Sequence, residues 1–281
     1  MPENEIPVFE YSGTARSGKG SIVKYLSSQD SSYLTEETGL DFRAITLGMI
    51  EAGFITVSDE EEDVTEKIDN GGVEVVSEIS GLRDVIIDRS GIDLLYSAQT
   101  SRLVSLVAKS AIVQTQVGEM FRNRLDTKAN SGDYKAVLLD GRNLIRHVID
   151  LPILSLALRT FVTCTPQEAI YRECSRLGVD PESPEGHEIA VSQTATYNAD
   201  TFRAINPVVP DANNTNYWDS AFGREHDIVR EGVGIAAAEA QTQILFDTTP
   251  FSRTNNPVGF MLKAAEVMFH EVLNDKTRGN K

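Results

Sequence analysis

Residues 13–21 read Gly13-Thr14-Ala15-Arg16-Ser17-Gly18-Lys19-Gly20-Ser21. Their types and spacing suit one piece of chemistry, the binding of a phosphate chain. Gly13 and Gly18 reach backbone conformations that a Cβ obstructs, so successive N–H groups of the loop can turn toward one anion. Lys19 carries a mobile point charge that can reach the β- and γ-phosphates of a nucleoside triphosphate. The pattern is almost G-x-x-x-x-G-K-[ST], with Gly20 where the hydroxyl belongs and Ser21 supplying one a position later. An ordinary glycine-rich turn is the bland alternative, and the flanking elements decide between the two.

Those elements must be a strand that delivers the loop and a helix whose N-terminus faces the anion. The apolar run 6–11 predicts the strand, and 18–28 predicts the helix, ending near "SSQDSS". Residues 32–36 predict a short second strand, and "TGLDFRAITLGMIEAG" a helix stopped by Gly53. The acidic run Asp59–Asp63 reads as a solvated loop or a helix start. Residues 72–95, with "GVEVVSEI", "RDVIID" and "IDLLY" separated by Gly and Ser, predict a small antiparallel β excursion. Residues 100–125 predict one amphipathic helix.

Further on, "KAVLLDGR", "LRTFVTC" and "QILFDTT" predict strands, and 166–177 and 256–274 predict helices. Strands alternating with helices make an α/β fold with a parallel sheet. Residues 206–236, rich in Asn and Pro, break the rhythm and read as a long loop or an added substructure.

The formal net charge of −16 disfavours nucleic acid polymers as partners and confines any anion site to a local basic patch. Two cysteines, Cys164 and Cys174, make no disulfide framework and suit a reducing compartment. The N-terminus lacks the basic and apolar regions of a signal peptide, and no stretch is apolar enough for a membrane span. A cytoplasmic protein without membrane contact is therefore expected. The four scattered histidines show no zinc spacing.

The spelling G-x-x-x-x-G-K-G-[ST] resembles the loop of the nucleoside monophosphate kinases, adenylate kinase among them, and other segments narrow the resemblance. "EETGLDFRAITL" (36–47) resembles the D-T-G-x-x-[YF]-R-A-[LI]-T-L stretch of the cytidylate kinases, and "LLDGRN" followed by "TFVTCTPQEAIYRE" resembles their D-G-R-D segment and the strand and helix after it. "TSRLVSLVAKSAIVQTQV" is similar to their helix V-S-x-x-A-S-x-V-A-x-x-P-x-V-R, "DTFRAINPV" to their lid element D-S-x-R-x-x-x-P-L, and "LFDTTPFS" to their I-D-T-[TS]-x-[LM]-S. These matches run in chain order from about residue 7 to 255.

The resemblance implies a fold and a set of roles. The fold is a P-loop NTPase-type parallel sheet flanked by helices, with an inserted β-rich acceptor-binding subdomain and a lid. The single kinase domain would have its core at about 6–36, 134–177 and 241–275, the acceptor-binding excursion at about 37–126, and the lid with extra segment at about 178–240. ATP with magnesium would occupy Gly13, Ser17, Gly18, Lys19, Gly20 and Ser21. Ser21 would ligate the metal directly and Asp140 through a water. Arg43 and Arg142 would hold the phosphate of the acceptor, since guanidinium makes bidentate phosphate contacts. Lys19, Arg142 and Arg203, the last from the lid, would stabilise the transferring phosphoryl group. Ser101 and Asp200 keep the family's serine and its sugar-contacting aspartate.

Departures cluster on the acceptor side. The last aspartate of D-G-R-D, which helps recognise cytosine, is Asn143, and the base-reading arginine of V-R is Gln114. The lid arginine four residues before Asp200 is Thr196, and the acid of D-T-G is Glu37. Two amides replace a charged base-reading pair and offer a different donor and acceptor pattern. Three readings follow: a cytidylate-kinase-type enzyme for CMP, dCMP or an altered base; a phosphate-loop kinase for another small phosphate acceptor; and a nucleotide-binding module that has lost catalysis.

Overall fold

The computed structural model describes residues 5–132, 134–141, 144, 150–205, 210–211, 233–236, 243–249, 251 and 256–278. Strand β1 (Ile6–Gly13) buries Val8, Phe9, Glu10 and Tyr11 in succession, so both its faces are covered, as in the centre of a parallel sheet. Helix α1 (Lys19–Gln29) follows, then β2 (Tyr33–Glu37). After a helical stretch the chain returns through β3 (Ala136–Asp140), β4 (Leu154–Thr163), α7 (Pro166–Leu177) and α8 (Pro184–Ile205). Short β5 (Pro210–Asp211) and β6 (Val233–Ala236), then β7 (Gln243–Asp247) and α9 (Pro257–Arg278), complete it.

The strands lie in the order β2-β3-β1-β4-β7-β6-β5. The first five form a parallel sheet, with β6 and β5 added antiparallel at one edge. From β1 the chain winds outward to β2 and back to β3, then crosses to β4 on the other side of β1. The winding direction therefore reverses beside β1 and β3. Ligands of open α/β sheets bind at the carboxyl ends of strands at such a reversal, and residues 13–21 leave β1 at that end.

One face of this sheet is sealed by α1 and α9. Met261, Ala264, Ala265, Met268, Phe269 and Val272 recur at helical spacing along α9 and are buried. The Phe269 ring lies 4.5 Å from that of Phe9, and Ile22 and Leu26 of α1 join the same cluster. Full burial of a phenylalanine contributes about 1.5–3 kcal/mol, so a few such contacts fix the helix that begins at the loop.

The chain divides into two compact units, Met1–Glu36 with Asp133–Lys281, and Glu37–Gly132. The second unit is helical among its described residues from Gly39 on: α2 (Gly39–Glu51), α3 (Glu61–Gly81), α4 (Arg83–Leu95, kinked at Gly91), α5 (Ala98–Val107) and α6 (Ala111–Ser131). The β excursion predicted over 72–95 is thus replaced by helix. Its Val and Ile residues carry β propensity, but Val64, Ile68, Val76 and Ile79 share one buried helical stripe while Val73 is 62% exposed. The acidic run 59–63 is a helix start: Asp63 accepts the Glu60 N–H at 3.2 Å, and acids in the first turn complement the helix dipole.

The single helix predicted over 100–125 is two, broken at Ala108–Ser110. Gln114 Nε2 bridges that break by donating to the Ala108 carbonyl at 2.8 Å. Of the irregular stretch 206–236, only 210–211 and 233–236 lie within the described residues. No helix among the described residues is long and apolar enough to cross a membrane.

Candidate functional site

Gly13 ends β1 with φ 149°, and a Cβ there would lie 1.8 Å from the carbonyl oxygen of Val162 on β4. Only glycine lets the loop leave so close to the neighbouring strand. The Thr14 N–H donates to that same carbonyl at 3.1 Å. Arg16 is left-handed at φ 58°, a conformation that costs a non-glycine residue about 1–2 kcal/mol. Its side chain is pinned outward by the buried Glu173 carboxylate of α7, which Arg176 also holds at 2.9 Å. Burial raises the Glu173 pKa, but the hydrogen bonds and charges of these two arginines outweigh it and hold the carboxyl below its usual range.

Gly18, at φ 98°, is the N-cap of α1, and no side chain caps that helix. The first turn of α1 is therefore the kind of helix N-terminus whose backbone N–H groups can serve an anion. A Cβ on Gly20 would stand 3.1 Å from Oδ2 of Asp140 at the end of β3. The glycine that departs from the strict motif thus allows this carboxylate to sit against the first turn of α1. Asp140 and Ser21 offer hard oxygen donors of the kind magnesium takes.

The Thr14 carbonyl is engaged from within the loop, and those of Arg16 and Ser17 from α7 and Thr248. Ser17 Oγ donates to Thr14 O at 2.8 Å. Arg172 Nη1, from α7, donates to Arg16 O at 3.1 Å, to Ser17 O at 3.3 Å and to Thr248 Oγ1 at 2.9 Å. The proton of the buried Thr248 hydroxyl serves Ser17 O at 2.8 Å or Thr163 O at 3.0 Å. Cys164, also behind the loop, is buried, and burial pushes its thiol up to about 11. A trans peptide points its N–H opposite its C=O, so the Ser17 carbonyl held by Arg172 and Thr248 sets the direction of the Gly18 N–H, while the Ser17 N–H closes the turn on Thr14 O at 3.4 Å. A glycine loop running into a helix N-terminus in this way has the build of a cradle that can take an anion.

In the helical unit, Arg43 Nη1 donates to Leu95 O and to Ser101 Oγ, each at 3.0 Å, and its guanidinium lies 4.0 Å over the Tyr96 ring. Two of the acceptor-side residues expected from sequence, Arg43 and Ser101, are thus in direct contact. Two positions earlier on α2, Asp41 is fully buried. It accepts from Arg83 Nε at 2.7 Å and from Arg124 at 2.9 and 3.2 Å, while Arg124 also donates to Glu37 O at 3.2 Å.

Arg142 and Asn143 lie outside the described residues. Asp200 and Arg203 fall on the backbone of α8, with their side chains outside the description. Thr196, on the same helix, turns its hydroxyl back to Ser192 O at 3.1 Å. Sequence reasoning missed Arg172, Thr248, Tyr96 and Asp41. Thr248 stands within the quoted "LFDTTPFS", and Asp41 is an acid among apolar helix positions, but the partners of each lie far away in sequence.

No protein-family model matches the chain. It resembles the crystal structure of TT1252 from Thermus thermophilus at 16% identity, covering 70% of this chain and 81% of that one, with a TM-score of 0.33. In sequence it is similar to a cytidylate kinase of Pelotomaculum thermopropionicum, 26% identical over 210 residues that cover 74% of this chain and 87% of that protein. A distant likeness to a cytidylate kinase therefore extends over 74% of the chain.

Proposed function

We propose that the protein is a nucleoside monophosphate kinase of cytidylate-kinase type, moving the γ-phosphoryl group of ATP to a nucleoside monophosphate. The observation that carries this reading is the loop at 13–21, whose Arg16 and Ser17 carbonyls are held by Arg172 and Thr248 while α1 begins at Gly18 without a side-chain cap. Lys19 neutralises charge on the β- and γ-phosphates. Ser21 and, through a water, Asp140 would hold magnesium, which would supply further neutralisation of that charge. Arg43, held by Tyr96 and Ser101, binds the phosphate of the acceptor together with Arg142. Arg203 adds positive charge at the transferring group, and Asp200 contacts the sugar. An acceptor phosphate oxygen attacks the γ-phosphorus in line, the bond to the β-phosphate oxygen breaks, and ADP leaves. No covalent enzyme intermediate is needed, since this chemistry depends on positioning and electrostatic stabilisation.

Thr196 favours a second reading, a nucleotide-binding module without transfer, because a hydroxyl bonded to its own helix replaces a cation there. One assay separates the two. Coupled ADP release is measured with Mg-ATP against ribo- and deoxyribonucleoside monophosphates. Acceptor-dependent ADP release supports the kinase, whereas ATP binding without acceptor-dependent turnover supports the module.

A further inference from the structure

Arg172 serves neither a substrate nor a metal in the reaction above, yet its guanidinium joins three segments of the first unit. Nε is anchored to Glu168 on its own helix at 2.7 Å. Nη1 meets the carbonyls of Arg16 and Ser17 and the hydroxyl of Thr248, and Nη2 donates to the Thr248 carbonyl at 3.2 Å. Thr248, just past β7, adds its own contact to Ser17 O at 2.8 Å. The Ser17 carbonyl shares its peptide plane with the Gly18 N–H, so holding one outward aims the other into the cradle. The Arg16 carbonyl shares its plane with the Ser17 N–H, which donates to Thr14 O at 3.4 Å and so closes the turn that presents Gly18. Arg172 also places a positive charge behind the position an anion takes.

We infer that Arg172, with Thr248, is a positioning residue for the phosphate loop: it sets the affinity for the phosphate chain by fixing the peptide planes of Arg16–Ser17 and Ser17–Gly18. This gives the "LFDTT" segment and the 166–177 helix a shared task, orienting the loop from behind. The inference rests on the assignment of the loop as an ATP site but not on the identity of the acceptor. Lysine at 172 keeps the charge but cannot span the same fork of acceptors.

The test is calorimetric titration of the full chain with Mg-ATP and with Mg-tripolyphosphate, alongside thermal unfolding, for wild type, Arg172→Met, Arg172→Lys, Thr248→Val and Arg172→Met/Thr248→Val. Arg172→Met is expected to weaken both ligands by about 10- to 100-fold, the range for losing hydrogen bonds to a charged group. Arg172→Lys should recover part of that loss and Thr248→Val should lose less. The double variant should lose less than the sum, because the two side chains share the Ser17 carbonyl. In turnover the KM for ATP should rise while the KM for the acceptor stays. Thr248→Val carries the test if Arg172→Met does not fold. Unchanged Kd values in the folded variants, with only the unfolding temperature lowered, would overturn the positioning role and leave the ATP site standing. A wild-type protein that binds neither ligand would overturn the ATP site and this inference together.

Discussion

The guanidinium of Arg43 stacks on the ring of Tyr96 at 4.0 Å while its Nη1 is shared between Leu95 O and Ser101 Oγ. One side chain is thereby held in a single orientation by a ring face, a carbonyl and a hydroxyl, all from residues 95–101. An arginine fixed before its ligand arrives loses less rotamer freedom on binding.

The ring, not the phenol hydroxyl, should therefore matter. Tyr96→Phe is expected to leave the acceptor KM within about two-fold, and Tyr96→Leu to raise it about two- to five-fold, the worth of a half-exposed cation–π contact. The KM for ATP should stay the same in both. Steady-state kinetics on the two variants checks this, and equal behaviour of Phe and Leu would show that the stacking has no part in acceptor binding. Arg43→Ala should weaken the acceptor far more than either, again without touching ATP affinity.

Asp41 is fully buried and carries Arg83 and Arg124, each 19% exposed at its side chain. Removing the acid takes the buried carboxylate from both arginines at once and leaves Arg83 with the exposed Asp84 and Arg124 with the Glu37 carbonyl among its partners, whereas removing one arginine leaves Asp41 paired with the other. Asp41→Ala should destabilise the protein by about 3–5 kcal/mol, the cost of breaking a buried pair from one side. Arg83→Met should cost clearly less. Urea unfolding of the two variants gives the comparison, and a smaller loss for Asp41→Ala than for Arg83→Met would contradict the network.

Lys19→Ala should lower kcat by about 100-fold or more, the scale seen when a donor to transition-state charge is removed. The unfolding temperature should stay near that of wild type, since Lys19, the first residue of α1, lies outside the cluster that seals that helix against the sheet. Turnover of the variant at the wild-type rate would sink the phosphate-loop assignment.

The parts of the molecule legible in its sequence are those set by local rules. The strand ending at Gly13 and the helix opening at Lys19 follow from an apolar run, a glycine with no room for a Cβ, and a 3.6-residue apolar period. The helices over 61–95 were not legible because Val73, Val75 and Val76 look like strand residues one at a time. Only the spacing of Val64, Ile68, Val76 and Ile79, set by their shared core, reveals the period. The break at Ala108–Ser110 is hidden for a related reason: the apolar pattern continues across it, and the Gln114 amide satisfies the freed carbonyl. In the site, the loop residues follow from the motif, while Arg172 acquires its meaning only when α7 is placed behind residues separated from it by more than 150 positions.

Base choice is the sharpest test of the acceptor side. Gln114 stands where a cytidylate kinase is expected to have an arginine, and Asn143 where it is expected to have an aspartate. A charge-assisted hydrogen bond is about twice as strong as a neutral one. The Gln114 amide nitrogen, moreover, already donates to the Ala108 carbonyl at 2.8 Å. CMP should therefore be a poor acceptor for the wild type, and a base whose edge suits two amides should be preferred. Gln114→Arg with Asn143→Asp should raise kcat/KM for CMP relative to the other monophosphates by about 10-fold or more, which needs only about 1.4 kcal/mol of differential binding. An arginine at 114 can still reach a backbone carbonyl with one of its five N–H groups and keep others for the base, so the break between α5 and α6 should survive the change. The measurement is steady-state kinetics of both proteins with CMP, dCMP, UMP, AMP and GMP. A wild type that already prefers CMP strongly, together with a double variant that changes nothing, would mean that the base is read by other residues.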